Sequence, residues 1–245
     1  TCLSLFLEDI QKAYDFAMQF LSAGINPAPA FKNSQGISRH LQFPHLSHQV
    51  FEDLILNASE IFIKNVFDSQ RLYVTHNKIS FKQPGEDVPW YPHQDNGYKL
   101  YNGLIPRKGV SMGIFLEDAD DFNGTLQFYP KSHLAKTLPH KYVVEDPKTN
   151  LGQVVLSHEP QGEPYSVIAK RGDIAVWSLD LIHQSQSNHS DEYRCVYISE
   201  IEPFQQLKVD ERGNIPIVLN TRLSLSKKIR LQALGFPIQI RYFLK

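Results

Sequence analysis

The hydrophobic pattern changes period at Leu72, and this change constrains the fold more than any other feature of the chain. Upstream, Ile10, Ala13, Tyr14, Ala17 and Leu21 recur at helical spacing, and Gly24 stands where such a helix would stop. Val50, Phe51, Leu54, Ile55, Ala58 and Phe62 resume that spacing, with Ser47 as the expected N-cap. The intervening Ile25–Phe43 carries Pro27, Pro29 and Gly36, which predict an irregular linker folded over a neighbouring surface. After Leu72 the apolar runs are short and bounded by Gly, Pro, Asn and Asp: Tyr73–Phe81, Val110–Leu116, Thr125–Tyr129, Ser166–Ile168, Ile174–Trp177, Ile182–Gln186 and Tyr193–Ile201. Short strands separated by turn residues predict a sandwich or barrel rather than a parallel sheet. A last helix is expected over Leu225–Leu234, stopped by Gly235 and Pro237, before an alternating tail Ile238–Phe243. The expected organisation is one domain spanning 1–245: helices over residues 1–70, a β core over 71–204, and a C-terminal helix and tail over 205–245.

Composition narrows the function. A net charge of −1 with no basic stripe argues against nucleic acid as a partner. The two cysteines, Cys2 and Cys195, form neither a disulfide framework nor a C-x-x-C motif, which suits a reducing, cytoplasmic compartment. No apolar run is long enough to span a bilayer, so no membrane is expected. The chain opens on Thr1 rather than Met, with no charged-then-apolar signal, as it would after removal or trimming of a leader. The sequons at Asn57, Asn123 and Asn188 read as chance matches.

The chemistry centres on Trp90-Tyr91-Pro92-His93-Gln94-Asp95-Asn96-Gly97-Tyr98. In an extended segment His93 and Asp95 point the same way, so both can face one metal ion. An imidazole and a carboxylate supply two ligands of a facial iron triad, and His183 is the candidate third. His183 and Ser185 share a face of one expected strand. The polar run Ser187–Asp191 reads as a turn that returns the next strand antiparallel and sets Arg194 beside His183. A guanidinium and a hydroxyl next to a metal suit a dicarboxylic cosubstrate that chelates with one end and pairs with Arg at the other.

These residues resemble the phytanoyl-CoA dioxygenase family of Fe(II)- and 2-oxoglutarate-dependent oxygenases. The resemblance rests on His93-Gln94-Asp95, Asn123–Leu126, Tyr129–His133, Gly172-Asp173, His183, Ser185 and Arg194, between about Tyr73 and Ile201. It implies a double-stranded β-helix (a jelly roll with flanking helices), iron ligands His93, Asp95 and His183, and a 2-oxoglutarate site at Arg194 and Ser185. The strand Lys78–Lys82 is most similar to that of ectoine and free amino-acid hydroxylases. There the position of Ser80 usually carries Asn and touches the cosubstrate, and the position of Lys78 carries a basic residue facing the substrate. Lys131 stands where the family turn has glycine. Because Asp95 is present, halogenation is disfavoured.

The resemblance implies oxidation, by default hydroxylation, of an unactivated C–H bond with O2, releasing succinate and CO2. The expected substrate is a small carboxylate-bearing metabolite, such as an amino acid or natural-product intermediate. An acyl thioester, cyclisation or desaturation, a non-catalytic jelly-roll binding protein and a cupin-like isomerase or hydrolase are the alternatives. Lys78 and His76 point the same way on one strand, either to substrate or out from an exposed edge. Trp177 reads as core or pocket wall. Tyr98 opens a segment to Lys108, with Lys99, Tyr101 and Arg107, that is expected to close over the iron as a lid. A second H-x-D, His189-Ser190-Asp191, has no histidine after it and reads as solvated turn, as do Asp120-Asp121. His133 reads as a packing or turn residue.

Overall fold

The computed structural model describes residues 2–23, 30–32, 38–62, 71–146, 151–203, 217–220 and 240–243. The helices are α1 (Cys2–Ala23), α2 (Val50–Phe62) and α3 (Asp95–Tyr101). The strands are β1 (Ala30–Lys32), β2 (Ser38–Gln42), β3 (Arg71–Lys82), β4 (Trp90–His93), β5 (Val110–Phe115), β6 (Leu126–Phe128), β7 (His140–Asp146) and β8 (Leu151–Leu156). They continue with β9 (Tyr165–Ser166), β10 (Ile174–Ser178), β11 (His183–Ser185), β12 (Arg194–Pro203), β13 (Ile217–Asn220) and β14 (Ile240–Phe243). A large sheet runs β1-β2-β3-β12-β5-β10-β14, with β13 beside β3, and a small sheet runs β4-β11-β6-β9. β7 and β8 form a separate hairpin.

Strict alternation decides which side of the large sheet each residue buries. Met112, Ile114, Val176, Cys195 and Tyr197 face outward and pack with Ile10, Ala13, Phe51, Leu54 and Ile55 of α1 and α2. Phe115, Ala175, Trp177, Val196 and Ile198 face inward and pack with Leu126, Phe128 and Leu181 of the small sheet. The Tyr197 hydroxyl donates to the Phe51 carbonyl at 3.2 Å, fixing α2 on the sheet. The result is a jelly roll with helices on the outside of one sheet and the site between the sheets.

Several expectations need correction. Part of the expected linker Ile25–Phe43 is strand: β1 pairs with β2, and β2 pairs with β3. Ser47 follows the short helical turn Pro44–Leu46, and α2 starts at Val50, whose N–H donates to His48 Nδ1. β3 is no exposed edge, since β12 lies on one side and β2 with β13 on the other. β11 is paired on both sides, by β4 and β6, so no edge is left for β12. The turn before Arg194 therefore crosses from one sheet to the other, and Arg194 enters from the wall opposite His183. The β7–β8 hairpin falls outside the expected strands, although Tyr142–Val144 and Val154–Leu156 are short β-forming runs; the expected helix Leu225–Leu234 lies outside the described residues. At the turn into Ser132, Lys131 sits at φ +66°, which accounts for the family's glycine there. No helix among the described residues is long and apolar enough to cross a membrane.

Candidate active site

His93 ends β4 directly opposite His183 of β11, and the two rings stand 4.2 Å apart. Asp95 is not on the strand. It is the first residue of α3, and the turn out of extended Gln94 swings its carboxylate back toward the histidines. The ligand atoms of His93, Asp95 and His183 all lie within 4.8 Å of one another, and the three residues are buried. His93 Nδ1 lies 2.7 Å from the Tyr91 carbonyl, and His183 Nδ1 lies 3.0 Å from that of Leu181. A carbonyl only accepts, so each Nδ1 carries the proton and each Nε2 lone pair is left for a metal. Burial, and then the neighbouring His183, hold the His93 pKa well below the usual histidine value. Asp95 Oδ2 accepts from Ser111 Oγ at 2.6 Å and Trp177 Nε1 at 3.2 Å, which leaves Oδ1 facing His183 Nε2 at 3.7 Å. This neutral-imidazole and carboxylate set fits a divalent transition metal.

The residues between and after these side chains hold the geometry. Gln94 is fully buried; its Nε2 donates to the Lys136 and Asp180 carbonyls, and its Oε1 accepts from Leu138 N–H at 2.7 Å. Asn96 Nδ2 donates to Asp180 Oδ1 at 2.8 Å and to the Arg107 carbonyl at 3.0 Å. Gly97 lets α3 approach His140, whose Nε2 accepts the Gln94 N–H at 3.1 Å. A Cβ at Gly97 would lie 2.1 Å from that imidazole. Gly97→Ala is therefore expected to push α3 and Asp95 outward and to destabilise by about 1–3 kcal/mol. A calorimetric scan with an iron titration checks this: Tm and iron affinity should fall together.

Deeper between the sheets, polar groups lack partners. Arg194 is 1 % exposed, yet its Nε, Nη1 and Nη2 have no hydrogen-bond partner among the described residues, and neither does the buried Ser185 Oγ. Trp90 Nε1 is a further buried donor without a partner, its ring stacked on His40 at 4.6 Å and beneath the Arg39 guanidinium at 3.8 Å. Ser80 lies across from Val196 on β12 and from His40 on β2, on the same inner face. Buried donors left open in a native fold mark a place for an acceptor-rich ligand. A dicarboxylate fits, because a fork of N–H groups matches one carboxylate.

The remaining sequence candidates fall in different places. Trp177 is wholly buried and engages Asp95 through its indole N–H. Lys78 lies on the inner face opposite Ile198; its positive charge bears on His93 and His40. His76 is next along that face but bonds Gln42 and stands 3.4 Å from Glu200. Tyr98 lies edge-on to His93, with ring centroids 5.5 Å apart. The expected lid is largely structure: Tyr98–Tyr101 belong to α3, Lys99 pairs with Glu200 and Glu202, and Arg107 pairs with Glu202. Sequence reading missed Ser111 and Gln94 as supports of Asp95. Nothing local marks Ser111, whereas Gln94 could have been noticed as the residue linking the two candidate ligands.

The fold and the buried His-Asp-His cluster define a jelly-roll protein with a candidate metal centre between its sheets. The chain belongs to the phytanoyl-CoA dioxygenase (PhyH) family, whose sequence model matches residues 7–196; the family depends on Fe(II) and 2-oxoglutarate. It is 30% identical over 156 residues to a phytanoyl-CoA dioxygenase of Arabidopsis thaliana, covering 62% of this chain and 53% of that protein. It is 27% identical over 142 residues to the L-proline trans-4-hydroxylase of Streptomyces griseoviridis, covering 52% of this chain and 53% of the relative. The chain thus spans about half the length of these relatives. Among solved structures it resembles EctD from S. alaskensis with 2-oxoglutarate and 5-hydroxyectoine (TM-score 0.62, 15% identity, covering 82% of this chain and 70% of that one).

Proposed function

We propose that this protein is an Fe(II)- and 2-oxoglutarate-dependent dioxygenase that hydroxylates a small carboxylate-bearing metabolite, most simply an amino acid or a derivative of one. The observation that carries the reading is the unpartnered, buried Arg194 guanidinium, with Ser185 Oγ, in the space between the sheets that also holds the His93–Asp95–His183 cluster. His93, Asp95 and His183 would hold one face of the iron. Ser111 and Trp177 fix the Asp95 carboxylate, and the Tyr91 and Leu181 carbonyls fix the imidazoles. Arg194 and Ser185 would take the far carboxylate of 2-oxoglutarate, while Trp90, His40 and Phe128 keep bulk water out of the space between the sheets. Iron with 2-oxoglutarate and O2 supplies the oxidising power when bound, with succinate and CO2 as co-products.

The substrate assignment rests on charge. Lys99 of α3 and Arg107 beyond it are balanced by Glu200 and Glu202, but the Lys78 ammonium makes no hydrogen bond or ion pair among the described residues. A half-buried lysine facing the metal calls for an anion from the substrate. The relationship to a proline hydroxylase supports an amino acid in that role. Lys78→Met is expected to lose product formation with its amino-acid substrate while substrate-independent 2-oxoglutarate turnover persists. Paired assays of product and succinate check this, and unchanged product formation would remove Lys78 from the substrate site.

A further inference from the structure

Lys82 is the next residue after His76, Lys78 and Ser80 on the inner face of β3, and it lies directly across from Arg194 in the β3–β12 ladder. Its side chain is 1 % exposed. The amine donates to the Val88 carbonyl at 3.2 Å and to that of Gln186, the residue after Ser185. Gly124 packs against this side chain: a Cβ there would lie 3.0 Å from Lys82 Cδ. Two buried basic groups thus face each other at the end of the pocket where Arg194 and Ser185 await an anion.

The charges around Lys82 come from three elements. Arg194 faces it from β12 and Arg39 from β2, both disfavouring a charged amine; Glu86, in the segment before β4, is the counter-charge among the described residues. Burial first, then Arg194, lower the Lys82 pKa to about 6. Burial also lowers Arg194, but only to about 10, so the guanidinium keeps its proton at neutral pH. Of two facing bases in a dry pocket, the lysine is the one that discharges. An anion entering between the sheets offsets both effects by its attraction for the charged amine. His40, held neutral by burial and by Lys78, Arg39 and Arg194, is the other nearby group that an anion could protonate.

We propose that Lys82 is a second cation of the cosubstrate pocket, neutral in the free enzyme and protonated when the far carboxylate of 2-oxoglutarate settles beside Arg194. This rests on the reading of Arg194 given above. Lys82 then acts as a positioning residue: it ties β3 to the segments leading into β4 and out of β11, and supplies its charge only to a loaded pocket. Because 2-oxoglutarate is a dianion throughout the neutral range, proton uptake on binding reports the protein and not the ligand.

The test is calorimetric titration of 2-oxoglutarate into the Fe(II)-loaded protein under argon, in two buffers of different ionisation enthalpy, from pH 5 to pH 8. The wild type should take up close to one proton per 2-oxoglutarate near pH 7, with uptake falling to about half near pH 6 and vanishing toward pH 5. By linkage, Kd should weaken up to about tenfold per pH unit above about pH 6. Lys82→Met should bind with no uptake and a pH-independent Kd. Zero uptake by the wild type at pH 7, uptake unchanged down to pH 5, or uptake retained in Lys82→Met overturns the proposal; the last would point to His40. If Lys82→Met does not fold, Lys82→Gln, which keeps an N–H donor for the Val88 and Gln186 carbonyls, takes its place with the same expected and overturning results. Arg194→Met separates the two ideas: unaltered 2-oxoglutarate binding there sinks the pocket assignment itself, whereas lost binding with no wild-type proton uptake sinks only the role of Lys82.

Discussion

His183→Ala is expected to abolish succinate formation, with a loss greater than the roughly 10- to 100-fold that follows removal of an outer partner of a metal ligand. His183 stands between β4 and β6 with its Nε2 facing Asp95 Oδ1, so its removal opens the metal face and leaves an imidazole and a carboxylate to hold the ion alone. The fold survives, because the inner core around Phe115, Phe128, Trp177 and Val196 does not depend on a metal. His93→Ala behaves alike. Asp95→Ala differs, since it strands the Ser111 hydroxyl and the Trp177 indole N–H in a buried site at about 1–3 kcal/mol each. Asp95→Asn, which keeps an acceptor for those donors, separates lost chemistry from lost stability. Succinate yield, iron content and far-ultraviolet circular dichroism on the same samples check these outcomes. Wild-type succinate production by His183→Ala would end the assignment.

Arg194→Ala is expected to raise the 2-oxoglutarate KM by orders of magnitude and to leave the iron site intact. A charge-assisted pair in a buried site is worth about 2–5 kcal/mol on truncation, which converts to about 30- to 5,000-fold in affinity. Arg194 has no hydrogen-bond partner among the described residues to lose, so the variant should fold as well as the wild type or better. Ser185→Ala should have a much smaller effect on the same constant, as one neutral hydroxyl contributes about 0.5–1.5 kcal/mol. Steady-state succinate formation against 2-oxoglutarate concentration separates the two. Saturation of Arg194→Ala at the wild-type concentration would assign the far carboxylate to another cation.

The jelly roll was legible because the period changes at Leu72 and short apolar runs carry turn residues between them. Each run contains or overlaps a strand, although β9 overlaps its run only at Ser166. The unread strands had local reasons to be missed. β2 sits among Pro and Gly and owes its conformation to pairing with β3, while β7 and β8 carry Lys, Glu, Gln and His on a hairpin over the site. The structure brings His93, Asp95 and His183 together, as their types and order suggested, but by another route. Asp95 arrives on a helix start, and Arg194 arrives from the opposite sheet. Spacing along a chain reports faces of one strand; it does not report which of two sheets the next strand joins. For the same reason Ser111, sixteen residues after Asp95, has no signature until β5 is folded against α3. Lys82 was within reach, because the even positions 76, 78, 80 and 82 share one face of β3.

The central claim is that one pocket holds iron and 2-oxoglutarate together for oxidation. The most direct test adds Fe(II) and then 2-oxoglutarate to the protein under argon, records the visible spectrum, and then admits air. A metal-to-ligand charge-transfer band that appears only with both additions, is absent in His183→Ala, and is followed in air by stoichiometric succinate is the predicted result. No band in the wild type, or a band of equal strength in His183→Ala, would contradict it.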